Sequence, residues 1–126
     1  MESTFDPLIS AYTRADALFD GQLIDMSTLA REAGFRWPVA VTAALWDGYI
    51  KPPAHLDGQS WEGRAWDVLS VLRLTIRRAG DTSELRFAVL FKLDENKPLE
   101  RVILTSHCGP GDDMEPVITI MLPGED

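Results

Sequence analysis

The side chains suited to nucleophilic or acid–base chemistry are few in this chain. His55 and His107 are the two candidate bases at neutral pH, and Cys108 is the single cysteine. Nucleophilic catalysis needs a nucleophile, a base and an orienting group held together. Because neighbours on a strand project to opposite faces, His107 and Cys108 should not pair with each other. The sequence therefore predicts no catalytic residue and favours a non-enzymatic protein.

The same scarcity argues against a metal centre. Structural zinc takes about four Cys or His ligands at close spacing, and this chain has two His and one Cys. The turn GDDME, with Asp112, Asp113 and Glu115, offers oxygen ligands but lacks the roughly 12-residue alternation of an EF-hand loop. We expect an acidic solvated turn there, with no metal and no cofactor.

Net charge limits the choice of partner. The chain has 20 Asp and Glu against 12 Lys and Arg, which gives a net charge of −8. Direct binding to nucleic acid or to an anionic membrane needs clustered cations, so neither is predicted. Residues 1–63 carry 9 acids and 4 bases, residues 64–101 carry 6 and 8, and residues 102–126 carry 5 and 0. Acid is therefore concentrated toward both ends of the chain.

Carboxylates from these two acidic ends are the first candidate partner-binding residues. They are Asp16, Asp20, Asp112, Asp113 and Glu115. Basic grooves that hold phosphates attract carboxylates arrayed on a rigid surface, and steering speeds the encounter at low salt. The predicted partner is accordingly a protein, such as a nucleic-acid-binding complex.

Tryptophan and arginine supply a second set of candidates. Trp and Arg are enriched at interface hot spots, and Arg can grip a phosphate or a carboxylate. We include Trp46, Arg73 and Arg77 as partner-binding candidates, although cations near a helix C-terminus also complement the helix dipole. Trp37 and Trp46 could alternatively form a homodimer interface.

Capping patterns predict two short helices before residue 35. Thr13 followed by Asp16 is a capping box that opens a helix over residues 13–20, and Gly21 ends it. Ser27 is predicted as the N-cap of a second helix over residues 28–33. The stretch between them, residues 22–26, is either a strand or an extended connector.

Residues 38–48 predict a buried helix, because Pro38 suits a first helical turn and the segment is apolar on nearly every side. Its β-branched Val39, Val41 and Thr42 leave a buried strand as the alternative.

The central helix is the clearest element. Ser60 caps residues 61–79, and Gly80 ends them. Apolar side chains recur along one helical face; they are Trp61, Ala65, Val68, Leu69, Leu72, Ile76 and Ala79.

A change of period from 3.6 to 2 after Gly80 predicts strands. The first strand runs through Leu93, the second over residues 99–108 and the third over residues 117–122, joined by polar turns. The expected fold is a single α+β domain over residues 1–126. In it the N-terminal helices (about 12–80) and the long central helix pack on a C-terminal three-stranded antiparallel sheet (about 83–122).

The first ten residues, MESTFDPLIS, lack the basic and apolar regions of a secretory signal, and no apolar run approaches the roughly 18 residues of a membrane span. With one cysteine no internal disulfide can form. We therefore expect a cytoplasmic protein.

Four stretches carry a family resemblance: YTRADALFDGQLIDMS (12–27), LAREAGFRWPVAVTAALW (29–46), GRAWDVLSVLRLTIRRAG (63–80) and GPGDDMEPVITIMLPGED (109–126). Together they resemble a family of small, acidic, uncharacterised proteins encoded on bacterial plasmids and mobile elements, often near anti-restriction genes. The resemblance implies a protein that counters host defence.

The leading hypothesis is a non-enzymatic binding protein that inhibits a restriction or CRISPR system by blocking a nucleic-acid-binding or effector surface. Two alternatives stay open. One is a small enzyme acting on a nucleotide or a defence component, with carboxylates and Arg73 or Arg77 in a pocket. The other is a homodimeric module of plasmid maintenance.

Overall fold

The fold is a mixed α+β arrangement around a five-stranded sheet. A computed structural model of the chain describes residues 12–56 and 58–125. The helices are Arg14–Asp20 (α1), Ser27–Glu32 (α2), Ala43–Leu45 (α3) and Trp61–Ala79 (α4), with a π-helical turn at Trp46–Ile50. The strands are Leu23–Asp25 (β1), Val39–Thr42 (β2), Glu84–Phe91 (β3), Glu100–Pro110 (β4) and Pro116–Met121 (β5). The predicted absence of a secretory signal concerns residues outside the described part.

The sheet is larger than predicted, and its order is β1-β2-β5-β4-β3. Strands β3, β4 and β5 form the expected antiparallel meander. However, β2 pairs parallel to β5, with Val39 opposite Ile118, and β1 adds antiparallel to β2. The prediction of a three-stranded sheet is therefore wrong. Strand β2 comes from a segment that was predicted as a helix, and β1 comes from residues 22–26, which the sequence left as a strand or an extended connector.

Helix α4 confirms the periodicity of residues 61–79. Ser60 Oγ accepts a hydrogen bond from the Gly63 N–H at 3.1 Å, which satisfies one free donor of the first turn. Ala65, Val68, Leu69 and Leu72 are buried. With Phe87, Val89 and Phe91 of β3 they form the centre of the core. Full burial of such side chains contributes about 1.5–3 kcal/mol each. Trp61 and Ala79, at the two ends of the predicted stripe, are exposed.

The segment 38–48 is a strand followed by short helical turns, so the helix prediction is wrong there. Val39, Ala40 and Val41 are all buried, since β2 has neighbours on both edges and cover on both faces. The Thr42 hydroxyl then accepts the Leu45 N–H at 3.3 Å and starts α3. The β-branched residues that weakened the helix prediction were the correct signal.

Helix α1 confirms its predicted capping box, and the second predicted cap is wrong. Thr13 Oγ1 accepts from the Asp16 N–H at 3.0 Å, and the Asp16 carboxylate accepts from the Thr13 N–H at 3.2 Å. Ser27 is instead the first residue of α2. Its hydroxyl donates to Asp25 at 2.6 Å and accepts the Val39 N–H at 3.1 Å, which ties α2 to β1 and β2.

Candidate functional site

The loop between β4 and β5, with Asp112, Asp113 and Glu115, meets the first turn of α1, and Asp16 and Asp20 lie along that helix. We call Asp16, Asp20, Asp112, Asp113 and Glu115 the acidic corner. Its centre is the Asp112 carboxylate, whose two oxygens accept the N–H groups of Arg14 at 2.8 Å and Ala15 at 3.0 Å. These two backbone bonds, with the nearby Arg14 charge, hold the pKa of Asp112 below its ordinary value. Asp112 is therefore ionised at neutral pH.

The loop that presents Asp112 is closed by its own residues. Glu115 Oε1 accepts the Asp113 N–H at 2.9 Å, and the Gly111 N–H donates to the Glu115 carbonyl at 2.6 Å. A Cβ on Gly111 would lie 2.6 Å from the Glu115 carboxyl carbon, so the Glu115 side chain packs directly against the Gly111 backbone. The side chain of Asp113 is exposed and forms no hydrogen bond within the described residues.

The remaining two carboxylates belong to α1. Asp16 completes the capping box, and Asp20 accepts the Tyr12 hydroxyl at 2.9 Å. Four of the five acids are thus fixed by hydrogen bonds from N–H or O–H groups. In the described part of the chain none of them has a cation within salt-bridge distance.

Arg14 is the cation closest to this corner, and its guanidinium points into the fold. Nη1 donates to Thr119 Oγ1 at 2.7 Å and Nη2 donates to the Ile118 carbonyl at 2.9 Å. Partial burial lowers the pKa of Arg14, while the carboxylates of Asp112, Asp25 and Glu115 oppose that shift. The arginine anchors α1 to β5 and leaves the carboxylates facing solvent.

A second candidate surface lies on the opposite face of the sheet at the same end. Two adjoining hollows of about 450 and 350 Å³ share Trp37, Ile76 and Ile118 as walls. Arg36, Arg73 and Arg77 line the smaller one. We call this surface, Arg36, Trp37, Arg73, Ile76, Arg77 and Ile118, the Arg–Trp groove.

Gly34 sets the position of Arg73 in this groove. Gly34 ends α2 with a φ of 103°, a conformation that favours glycine. A Cβ at this position would lie 2.7 Å from Arg73 Cζ, so the guanidinium rests directly against the Gly34 backbone. Trp37 is 46% exposed beside it. Three guanidiniums around an indole suit an acidic or planar ligand.

The larger hollow continues past Gly80 to Ser83 and reaches Cys108. Cys108 is a half-buried free thiol, and the adjacent His107 is exposed. The alternation of strand residues places the His107 ring on the other face, where it lies against Gly109. The two side chains do not form a thiolate–imidazole pair in the structure, as the sequence predicted.

Trp46 lies outside both surfaces. Its ring meets that of Trp61 edge-to-face, with 5.5 Å between centroids, and it packs against the core. The structure therefore groups Arg73 and Arg77 with Arg36 and Trp37, and it leaves Trp46 with the fold.

Sequence reasoning missed Arg64, the most deeply buried charged residue, which is 4% exposed. Its Nε donates to the Tyr49 carbonyl at 2.8 Å, and Nη1 donates to Gln59 Oε1 at 3.0 Å and to the Lys92 carbonyl at 2.9 Å. Nη2 has no hydrogen-bond acceptor among the described residues, and the guanidinium carbon lies 5.5 Å from the centroid of the Phe91 ring. A charged residue four positions before Val68, on the apolar face of α4, was the available signal.

The whole chain, residues 1–126, matches a family model described as a family of unknown function, DUF6573. The chain belongs to DUF6573. Neither the curated proteins nor the solved structures compared with it gave a match. The resemblance to an uncharacterised family is thus confirmed, while the plasmid and anti-restriction setting stays a prediction. Membership of DUF6573 assigns no residue, so the candidate site rests on the geometry.

Across residues 12–56 and 58–125, no three His, Cys, Asp or Glu side chains are arranged to hold a metal ion. No described helix combines the length and the apolar character that crossing a bilayer requires.

Proposed function

We propose that this protein is a non-enzymatic binding protein that inhibits a bacterial defence system, of the anti-CRISPR or anti-restriction type. It does so by covering a nucleic-acid-binding or effector surface of a protein partner. The observation that supports this proposal is the acidic corner. Carboxylates of α1 lie beside those of residues 112–115 there, and backbone or hydroxyl donors hold four of the five in place of cations.

Fixed carboxylates have two advantages for such binding. Little side-chain freedom remains to be lost when the partner docks, because the hydrogen bonds have already ordered the groups. A carboxylate oxygen that accepts one backbone N–H keeps a lone pair for a lysine or an arginine of the partner. Each ionised carboxylate of the corner carries one negative charge, as a backbone phosphate does. The net charge of −8 keeps the protein itself off nucleic acid.

The Arg–Trp groove extends this binding surface. Ile118 marks where the two surfaces meet, since its carbonyl accepts Arg14 while its side chain lines the groove. A partner that binds around this end of the sheet would contact both of its faces. It would meet the acidic corner on one face and Trp37 with Arg73 on the other. The carboxylates would speed the encounter, and the aromatic and guanidinium groups would supply most of the affinity.

The first test identifies the partner. Tagged protein is used for affinity capture from a host with active restriction and CRISPR systems, and retained proteins are assayed for loss of DNA binding or cleavage when the pure protein is added. We expect capture of a nucleic-acid-binding defence protein and a loss of its activity. Capture of no defence protein, or capture without any inhibition, would contradict the proposal.

The second test asks whether the corner carries the binding. The double variant Asp20→Lys with Asp113→Lys reverses two corner charges. It leaves the hydrogen bonds from Arg14 and Ala15 to Asp112 in place. Glu95→Lys with Glu100→Lys makes the same change in net charge on exposed residues elsewhere. The corner variant should lower the association rate at low salt by about tenfold or more. Equal rates for the two double variants would exclude the corner.

The groove also supports a second candidate function, a small enzyme acting on a nucleotide. Guanidiniums of Arg36, Arg73 and Arg77 could hold phosphates, and the half-exposed Trp37 indole could stack on a base. Nucleotides titrated onto the protein would then quench the fluorescence of Trp37. The quenching should be absent in Trp37→Phe and present in Trp66→Phe. An enzyme should also convert the bound nucleotide and release the product. No quenching and no product would eliminate this candidate.

A further inference from the structure

Strand β3 forms one outer edge of the five-stranded sheet. Its eight residues pair with β4 in one continuous register from Glu84–His107 to Phe91–Glu100, with no proline and no bulge. Long regular edges of this kind are templates for pairing with another strand.

The direction of the backbone groups follows from one hydrogen bond. The Cys108 N–H donates to the Ser83 carbonyl at 2.7 Å, so Ser83 and every second residue after it face β4. The residues between them turn their N–H and C=O groups outward. Both ends of this outward row are occupied: Thr82 Oγ1 donates to the Glu84 carbonyl at 3.1 Å, and Arg64 Nη1 donates to the Lys92 carbonyl at 2.9 Å.

Three residues remain between these ends, and they are Arg86, Ala88 and Leu90. Within the described residues their outward N–H and C=O groups have no hydrogen-bond partner. Two identical edges, each with three outward-facing residues, can pair antiparallel. Only one register uses all three residues of both edges. That register places Ala88 on a two-fold axis, with Arg86 opposite the partner's Leu90.

The side chains support the same register. It places Glu84 opposite the partner's Lys92, an opposite-charge pair at each end of the joint, and the small Ala88 against itself at the centre. Placing Arg86 on the axis would instead oppose two arginines and would require Glu84, whose carbonyl is already bonded to Thr82.

Apolar surface flanks the free edge on both faces of the sheet. A hollow of about 520 Å³ runs between β3 and α4, lined by Val71, Phe91 and Leu99 among others. Leu90 on the open sheet face is 54% exposed, and Leu74, one turn beyond Ser70 and Val71 on α4, is 50% exposed. Two copies joined at β3 would bring their α4 helices side by side and would cover these leucines.

We propose that a second copy of this chain occupies the β3 edge, so that one sheet runs through both copies with its two-fold axis at Ala88. This goes beyond the proposed function, since it concerns neither the acidic corner nor the Arg–Trp groove. It also places the interface away from Trp37 and Trp46, where the sequence had suggested one.

The test removes one outward N–H of β3 that the hydrogen bonds to β4 do not use. Ala88→Pro deletes the donor on the axis and fills its place with the ring, while the ladder to β4 does not use that N–H. Ala88→Val is the matched control, because it adds bulk and keeps the N–H. Sedimentation equilibrium at physiological salt should give twice the 14.0 kDa chain mass for wild type and Ala88→Val. The dissociation constant of Ala88→Pro should rise by at least about tenfold.

Charge exchange tests the register even if the proline variant does not fold. Lys92→Glu alone and Glu84→Lys alone should each weaken the dimer by roughly threefold, and the double exchange should restore it. Wild type that is monomeric at every concentration, or a dimer unaffected by these changes, would overturn the proposal. A monomer that captures a foreign protein through β3, and loses it in Ala88→Pro, would also overturn it in favour of strand addition by that protein.

Discussion

The acidic corner and the Arg–Trp groove differ in how their charges relate to the fold. In the corner, the exposed Asp112 carboxylate also holds the first turn of α1, and Arg14 beneath it ties that helix to β5. In the groove, Arg73 and Arg77 are exposed side chains around an apolar hollow, and within the described residues none of the hydrogen bonds of the fold depends on them. Substitutions should therefore affect stability and binding together in the corner, and binding alone in the groove.

The largest expected effect on stability comes from Arg14→Met. It removes donors to Thr119 and to the Ile118 carbonyl, which leaves a partly buried acceptor unpaired. The free energy of unfolding should fall by about 2–3 kcal/mol. Arg73→Met, the matched change in the groove, should lower it by less than about 0.5 kcal/mol. Urea denaturation measures both values, and equal losses would end the distinction between the two regions.

Gly34→Ala is expected to have the next largest effect, and it links the groove to the backbone. The left-handed φ costs an alanine about 1–2 kcal/mol. Its Cβ would also lie 2.7 Å from Arg73 Cζ, so the guanidinium would have to move. Thermal unfolding should show the loss, and partner affinity should fall with it. Gly48→Ala is the control, because an added Cβ there meets nothing within 4 Å. A Gly34→Ala protein as stable as the Gly48→Ala protein would contradict this account.

Asp112→Asn should change how stability depends on pH. The folded protein holds the pKa of Asp112 below its ordinary value of 3.8. The stabilisation is therefore complete above that value and is lost as pH falls through the lower folded pKa. Unfolding measured from about pH 6 down to about pH 2 should show a shallower acid loss in Asp112→Asn than in wild type. Parallel curves for the two proteins would mean that Asp112 does not couple to folding.

Trp37→Ala should change stability little and partner affinity much more. The ring is half exposed, so unfolding should change by less than about 1 kcal/mol. Partner affinity should nevertheless fall by about tenfold or more, as for an aromatic hot spot. Trp66→Ala, a similarly exposed tryptophan outside the groove, is the control for the affinity measurement. Equal affinities of the two variants would remove the groove from the interface.

Local patterns predicted the elements that are formed by one continuous stretch of chain. The α4 stripe, the Thr13–Asp16 box and the β3–β4 hairpin are of this kind, and all are confirmed. The strand at Val39–Thr42 was misread, because an apolar run of that length is equally suited to a buried helix. What decides between them is the pairing with Ile118 and its neighbours, nearly 80 positions away in the chain.

The candidate site was predictable in its residue types and not in its assembly. That acids gather at the two chain ends is visible in the sequence, yet the bond from Arg14 to Asp112 spans 98 positions and has no local signature. The groove likewise joins Arg73 and Arg77 of α4 to Arg36 and Trp37 of a distant loop. Helix periodicity could predict that Arg73 and Arg77 lie together, but not that they meet Arg36 and Trp37.

The position of β5 has a consequence for how the molecule is made. This strand, the last along the chain, lies between β2 and β4, so it completes the sheet by joining two parts that the chain produced earlier. During synthesis, β1–β2 and β3–β4 must wait with open edges until β5 leaves the ribosome. Such late, non-local closure slows folding and exposes apolar edges in the meantime. Nascent chains of this protein should therefore depend on chaperones until Met121 has emerged.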